Sequence, residues 1–355
     1  MPKRPAKKGQ VKVEKYINTL LIDGNALFKV GYHGAINEVN WKGEKIGGIY
    51  QFITVLRKLL LEDLYHKVYV FWDGPLSGKL RYEIYSDYKV RRKCFVTGKR
   101  VTEIDPWFIK QQIAVKNYIE ELSIRQFEDE VVEGDDLIAY YCLHKKPNEK
   151  ITVCTNDRDI TQVLEKDVRV YLCDKKIFLT TENYSDYFSN HYSNVLLIKT
   201  ITGDASDDIK GVKGLGEKGL LNYFPEIKER PVTLSEILEK AAKLQSERIE
   251  NKKKPLQSIQ NLIEGRTDGI QGSNILAINE VIIDLKNPLL TEGCKTVMDE
   301  YMESSINPEG RDIKNVYQYI KRDGLSRLIG TNNLADYLLP FKKLMSREES
   351  YFINN

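Results

Sequence analysis

A short apolar run that stops on an acid followed by glycine lies near the start of the chain, at Thr19-Leu-Leu-Ile-Asp23-Gly24. The same grammar returns at Val68-Tyr-Val-Phe-Trp-Asp73-Gly74 and again at Ile151-Thr-Val-Cys-Thr155, closed there by Asn156-Asp157. Runs this short, apolar at successive positions and ended by turn residues, read as strands buried on both faces. Between them lie helical patterns. Residues 49–64 set Ile49, Phe52, Ile53, Leu56, Leu59 and Leu60 on one face, and residues 107–122 are read as aligning Trp107, Ile113, Tyr118 and Leu122. Strands alternating with amphipathic helices imply an α/β fold with a mostly parallel central sheet covered on both sides. Beyond about residue 190 the alternation stops and the chain reads as mostly helical. Thr233-Leu-Ser-Glu236 is a capping box for a helix running to about Ile249, and Asn251-Lys-Lys-Lys254-Pro255 reads as a basic break between helices.

In a parallel sheet, ligands gather beyond the carboxyl ends of the strands. Asp23, Asp73 and Asp157 each stand at such an end, so three separate segments deliver an acid to one edge. One acid after a strand is ordinarily a turn residue or a helix cap. Three in succession weaken that reading, and more acids join them. Glu133-Gly-Asp135-Asp136 opens a helical run, with Glu133 and Asp136 three apart on one face. Thr155-Asn-Asp157-Arg-Asp159 and Gly203-Asp204-Ala-Ser-Asp207-Asp208 add further pairs. So many carboxylates on one edge cannot stay ionised together without counter-charge. With four histidines and no His/Cys ligand spacing, zinc is not expected; hard oxygen ligands favour Mg²⁺ or Mn²⁺. Two such ions imply in-line phosphoryl chemistry, one generating hydroxide and the other stabilising the leaving oxygen. The acids alone would equally suit a phosphatase.

Nucleic acid enters through two other segments. Residues 79–100 carry eight basic side chains, among them Arg81, Lys89, Arg91, Arg92 and Lys93, with Tyr82, Tyr85 and Tyr88 at three-residue spacing. Basic residues interleaved with aromatics suit a single strand, whose phosphates and bases both need partners; the alternative is a solvated helix with its tyrosines on the body. Gly211-Val-Lys213-Gly214-Leu-Gly216-Glu-Lys218-Gly219 contains a formal G-x-G-x-x-G, but no strand precedes it, so the dinucleotide reading fails. A helix–hairpin–helix over about residues 203–224 fits better, its glycines letting backbone amides approach a phosphate of duplex DNA.

Composition sharpens this. Lys plus Arg total 54 and Asp plus Glu 51, a net +3 that excludes a polybasic binder. Setting nine pocket acids aside leaves 54 against 42, a basic surface around an acidic pocket. Residues 1–15, with six basic side chains and one acid, read as a disordered basic tail. Five scattered cysteines without C-x-x-C indicate reduced, cytoplasmic usage, and no apolar run is long enough to span a membrane.

In order, Leu-Ile-Asp23-Gly, Phe-Trp-Asp73-Gly, Glu133-Gly-Asp135-Asp136, Thr-Asn-Asp157-Arg-Asp159, Gly-Asp204-Ala-Ser-Asp207 and Gly-Val-Lys-Gly-Leu-Gly216 resemble the 5′-nuclease (flap endonuclease) superfamily across residues 19–225. Ser77-Gly-Lys-Leu-Arg81 through Tyr88-Lys89-Val-Arg-Arg92-Lys93 is similar to the phage branch of the T-even ribonuclease H type. The resemblance implies a PIN-like core at residues 16–190 with a helical arch at about 74–104, and a helical C-terminal domain at 191–355. It implies that Asp23, Asp73, Glu133, Asp135 and Asp136 hold a first Mg²⁺, and that Asp157, Asp159, Asp204 and Asp207 surround a second, Asp136 being a candidate to bridge them. Lys89 would contact the scissile phosphate with Arg92 beside it. Tyr82, Tyr88, Arg81, Arg91 and Lys93 would meet DNA on the arch, and Gly211, Lys213, Gly214, Gly216 and Lys218 on the hairpin, around a K⁺. The implied activity is a 5′→3′ exonuclease and flap endonuclease that leaves a 5′-phosphate. Its substrates would be flapped or nicked DNA and RNA–DNA hybrids, as in primer removal, in the cytoplasm (a host's, if phage-encoded). A monomer is expected. A single-strand-binding protein or sliding clamp is the partner class, although Tyr351-Phe352 is only a fragment of a clamp motif. Two other departures are Gly134 in place of the usual alanine and Asp208 in place of the usual asparagine. The competing functions are a PIN-type ribonuclease on single-stranded RNA and a catalytically silent, structure-specific DNA binder.

Overall fold

The computed structural model describes residues 16–92, 105–268, 274–304, 310–330 and 333–346. The basic tail and Lys93 lie outside these residues, as do Cys94 and Tyr351-Phe352.

Six strands form the central sheet: β1 (Ile17–Asp23), β2 (Lys67–Asp73), β3 (Arg125–Asp129), β4 (Glu149–Thr155), β5 (Val168–Leu172) and β6 (Ile177–Leu179). Their spatial order is β3-β2-β1-β4-β5-β6, parallel throughout except for β6, which runs antiparallel to β5. The central strands are the apolar runs of the sequence: Leu20, Leu21 and Ile22 of β1 and Val70 and Phe71 of β2 are wholly buried, as covering on both faces requires. Chain order reverses between β1 and β4, since β2 and β3 extend the sheet to one side and β4 returns to the other. That switch point opens a crevice at the carboxyl ends of β1 and β4.

Helices α1 (Gly24–Gly34), α2 (Gly47–Glu62), α3 (Lys79–Ile84), α4 (Pro106–Glu121) and α5 (Gly134–Leu143) connect the strands. α2 buries Ile49, Phe52, Ile53, Leu56 and Leu59, as its spacing predicts. α4 departs from its predicted face. It buries Phe108, Gln111, Val115, Tyr118 and Ile119, while Ile113 is 56% exposed. Ile113 lies five residues from Tyr118, roughly 140° around the helix at 100° per residue, so the two cannot share a face.

The later helices are α6 (Val195–Thr202), α7 (Glu217–Tyr223), α8 (Leu234–Glu250), α9 (Gln257–Ile263), α10 (Ile275–Ile283), α11 (Glu292–Glu303), α12 (Ile313–Asp323), α13 (Ser326–Ile329) and α14 (Leu334–Met345). The capping box at Thr233 and Glu236 is formed and opens α8. These helices do not share one core of their own. α6 to α10 surround an apolar cluster that includes Ile201, Leu220, Ile237 and Ile259. Met298 of α11 joins the cluster on one face of the sheet, and Val316, Ile320 and Phe341 of α12 and α14 join the cluster on the other. The boundary near residue 190 therefore marks a change in sequence pattern and not a division of the packing.

Candidate active site

Asp23 is the last residue of β1 and also the N-cap of α1, accepting from the Ala26 amide at 2.8 Å. Its other oxygen accepts from Thr155 Oγ1, at the end of β4, at 2.8 Å, which ties the two strands together across the switch point. Asp73 ends β2 and accepts from the Gly134 amide at 2.9 Å, so it fixes the first turn of α5 and with it Asp135. Asp157 comes after β4 in a turn that it closes by accepting from the Asp159 amide at 2.8 Å. Each carboxylate is thus placed by backbone hydrogen bonds, before any ligand is considered.

The acids fall into two sets. Arg81, Lys89, Arg92 and Lys199 neutralise five of them. Arg81 pairs with both oxygens of Asp136 and with Glu133 at 2.8 Å. Lys89 stands 2.5 Å from Glu133 and 3.4 Å from Asp207, and Arg92 3.3 Å from Asp207. Lys199 bridges Asp159 at 3.0 Å and Asp204 at 2.5 Å. Asp23, Asp73, Asp135 and Asp157 have no ion-pair partner among the described residues.

Two of the unpaired acids are raised, and the paired acids do not titrate alike. Burial raises the Asp23 carboxyl to about 6, the Asp73 charge adding to it against the Ala26 and Thr155 hydrogen bonds. Asp135 is raised well above the usual carboxylate range by burial and then by Asp23, Asp157 and Asp73. Its Oδ1 is buried with no hydrogen-bond partner. For Glu133 burial acts upward too, but Lys89 and Arg81 outweigh it and hold the group at about 2. Asp204 behaves likewise: Lys199 and Ser206 overcome burial and leave it lowered. Three paired acids are raised all the same: burial and Asp157 lift Asp159 to about 7 despite Lys199, and burial raises Asp136 against Arg81 and Asp207 against Lys89.

Three sequence expectations are corrected by this geometry. Asp136 does not open onto the acidic edge: it is fully buried, with Arg81 on both oxygens and the Leu289 amide donating at 3.0 Å, so its charge is already matched by a cation within the chain. Arg81 does not meet DNA. It is 5% exposed and also donates to the Ile282 carbonyl at 2.7 Å. Tyr88 is 2% exposed and donates to Glu133 at 2.7 Å, so it offers no face to a base. The tyrosine stripe fails because α3 stops at Ile84; Tyr85 and Tyr88 are buried in the core of the helical half, and Tyr82 packs against it.

Arg91 and Arg92 are exposed, although Arg91 is ion-paired with Asp208. Lys213 and Lys218 are exposed beside the glycine-rich turn, with Lys213 paired to Asp268 at 2.8 Å. The turn's glycines divide by role. A Cβ on Gly211 would lie 2.1 Å from the Thr202 carbonyl group, so that glycine is required by packing, whereas Gly216 faces open space and Gly214 nearly so, with φ +77°. Gly214 and Gly216 leave their backbone open to a ligand. Lys199 was missed in the sequence. A lone lysine in the apolar helix Val195-Leu-Leu-Ile-Lys199-Thr-Ile, just before Gly203-Asp204, was the available signal.

Among the described residues no three His, Cys, Asp or Glu side chains are already drawn together as an ion site. The donor chemistry nevertheless fits a hard divalent cation: four acids without cations, all-oxygen ligands and one orphaned buried oxygen on Asp135. No helix among the described residues is long and apolar enough to cross a membrane.

Comparison with known proteins matches residues 18–190 to the family described as 5′-3′ exonuclease, N-terminal resolvase-like domain. The chain is 27% identical over 222 residues to a 5′-3′ exonuclease of Mycoplasmopsis pulmonis, covering 61% of this chain and 69% of that protein. It is 28% identical over 208 residues to the thermostable DNA polymerase I of Thermus thermophilus, covering 58% of this chain but only 24% of the polymerase. Its fold is similar to that of bacteriophage T5 5′-exonuclease with bound zinc, with a TM-score of 0.56 at 18% identity over 76% of this chain and 90% of that one. A T5 flap endonuclease complex with DNA and metal ions gives a TM-score of 0.54 at 15% identity, covering 92% and 99%.

Proposed function

We propose, from the match of residues 18–190 to the N-terminal domain of 5′-3′ exonucleases, that the chain is a member of the 5′-nuclease superfamily acting as a Mg²⁺-dependent 5′→3′ exonuclease and flap endonuclease. Its substrates are flapped or nicked duplex DNA and RNA–DNA hybrids, as in primer removal, and it leaves a 5′-phosphate. The observation that carries this reading is the orphaned Asp135 oxygen amid Asp23, Asp73 and Asp157, at the switch point where open parallel sheets characteristically bind ligands.

Asp23, Asp73, Asp135 and Asp157 would hold Mg²⁺, replaceable by Mn²⁺, with Asp159, Asp204 and Asp207 on the side of a second ion and Glu133 between the two sets. When bound, such ions lower the pKa of an attacking water and offset charge on the leaving oxygen. The chain's own residues do the rest. Asp73 holds the first turn of α5, and Thr155 orients Asp23. Lys89 and Arg92 lie at the rim, on Glu133 and Asp207, and exchange those carboxylates for the substrate phosphate. The open backbone at Gly214 and Gly216, flanked by Lys213 and Lys218, grips duplex phosphates without reading sequence, and a K⁺ there belongs to the same proposal.

A 5′-labelled flap oligonucleotide incubated with and without Mg²⁺ tests this. Mg²⁺-dependent cleavage near the junction of single strand and duplex is expected. Cleavage confined to single-stranded RNA would point to a PIN-type ribonuclease, and a gel shift without product to a silent binder; either outcome overturns the proposal.

A further inference from the structure

Two residues other than glycine adopt left-handed backbone on opposite sides of one seam: Lys89 at φ +50° and Asp208 at φ +61°. Such conformations persist where the surroundings over-determine them. The seam does so. The Lys89 amide donates to the Asp207 carbonyl at 3.0 Å. The Arg91 amide donates to one oxygen of Asp208 at 3.3 Å, its Nε to the other, and its Nη2 to the Ala205 carbonyl at 2.8 Å. Asp208 is built into its turn, with its side chain 9% exposed, and Arg91, 70% exposed, reaches over to it. Only two residues before Arg91, the Lys89 ammonium stands against Glu133.

We propose that Asp208, acting through Arg91, is a positioning residue. It pins the segment carrying Lys89 against the turn that leads into the glycine-rich hairpin, and so fixes the Lys89 ammonium at the mouth of the acidic pocket. The inference rests on the nuclease reading above. Asparagine at position 208 would keep the left-handed turn, which Asn and Asp both tolerate, and lose the charge that orders Arg91. The opposing account is that Asp208 is simply a negative charge repelling duplex DNA.

The test uses the full chain with Asp208→Asn, Arg91→Gln, the double variant, and Arg91→Lys. Single-turnover cleavage of a 5′-flapped duplex is measured at saturating Mg²⁺, and duplex affinity by fluorescence anisotropy in EDTA. Each single charge removal is expected to slow cleavage on the order of tenfold, with duplex Kd within about twofold; the double variant is no slower than the worse single, and Arg91→Lys recovers part of the rate. Additive losses would overturn the proposal, as would tighter duplex binding at unchanged rate in Asp208→Asn, or weaker binding at unchanged rate in Arg91→Gln. Urea unfolding of the same variants reads the coupling between positions 91 and 208 without substrate. A wild-type chain inert on flapped duplex overturns the nuclease reading, whereas absent coupling in unfolding overturns the seam alone.

Discussion

The acidic pocket has two halves that solve the same electrostatic problem differently. On the side of Glu133, Asp136, Asp204 and Asp207 the protein supplies its own cations, from Arg81, Lys89, Arg92 and Lys199. On the side of Asp23, Asp73, Asp135 and Asp157 it supplies none among the described residues, and burial with mutual repulsion lifts Asp23 and Asp135. The first half is complete as a structure. The second lacks such cations among the described residues, and it is there that the proposed first ion would sit. The difference separates acids already paired within the chain from acids left without a cation among the described residues, although all belong to one motif series.

Substitution should break the comparison most visibly at Asp135 and Asp136, adjacent in sequence and opposite in role. Asp135→Asn removes a carboxylate with an orphaned oxygen, so Mg²⁺-dependent cleavage should fall by a factor on the order of 10³ or more. The same change should leave the metal-free protein more resistant to urea at about neutral pH, because it relieves repulsion. Equal loss of stability and activity would count against the assignment. Asp136→Asn should behave in the reverse order: it strips Arg81 of its bidentate partner in a fully buried place and should cost about 3 kcal/mol of stability in urea unfolding. A normal unfolding midpoint with abolished cleavage would return Asp136 to the metal.

Asp23 in the unpaired half and Glu133 in the paired half should respond oppositely to pH. Asp23 is raised from 3.8 to about 6 in the fold, so its protonated form is favoured there relative to the unfolded chain. Its contribution is fully present below about pH 4 and is lost as pH rises through about 6, a change on the order of 1–3 kcal/mol. Glu133, lowered from 4.5 to about 2, contributes stability above its unfolded value that is lost as pH falls toward 2. Metal-free protein should therefore be most stable in mildly acidic buffer and lose thermal stability toward about pH 8, and Mg²⁺ should restore it there. A Tm that rises from about pH 5 to about pH 8 without metal would contradict the division.

Much of this was legible in the sequence. Strand-end acids at Asp23 and Asp73 come from apolar runs that stop on a carboxylate, and α2 comes from its spacing. The parts that were not legible depend on long-range contacts. Arg81 looked like a surface basic residue, and only the packing of α3 against α5 and α10 buries it beside Asp136. Tyr88 looked like a stacking platform for the same reason, since local spacing cannot show that the helix ends at Ile84. Lys199 was hidden in an apolar helix whose basic member seemed incidental. Arg81, Tyr88 and Asp136 were misread together, because the contacts that bury them join residues at least 44 positions apart in the chain. The acids were readable because strand ends and tight turns place them locally.

The smallest expected effect lies at the seam between the two halves, Gly134, which stands between Glu133 and Asp135. Its amide holds Asp73 at 2.9 Å, and a Cβ there would come to 3.4 Å from that same Asp73 oxygen, an ordinary contact. Its φ is not left-handed, so alanine meets no backbone strain. Gly134→Ala should keep the amide hydrogen bond, reduce the freedom of the unfolded chain and stabilise α5 by about 0.4–1 kcal/mol. Because it changes neither charge nor the placement of Asp73, cleavage should stay within about twofold of wild type if Asp73 is held only by that amide. A larger loss of cleavage at unchanged or higher Tm would mean that the open half of the pocket needs space beside Asp73 that a methyl group fills.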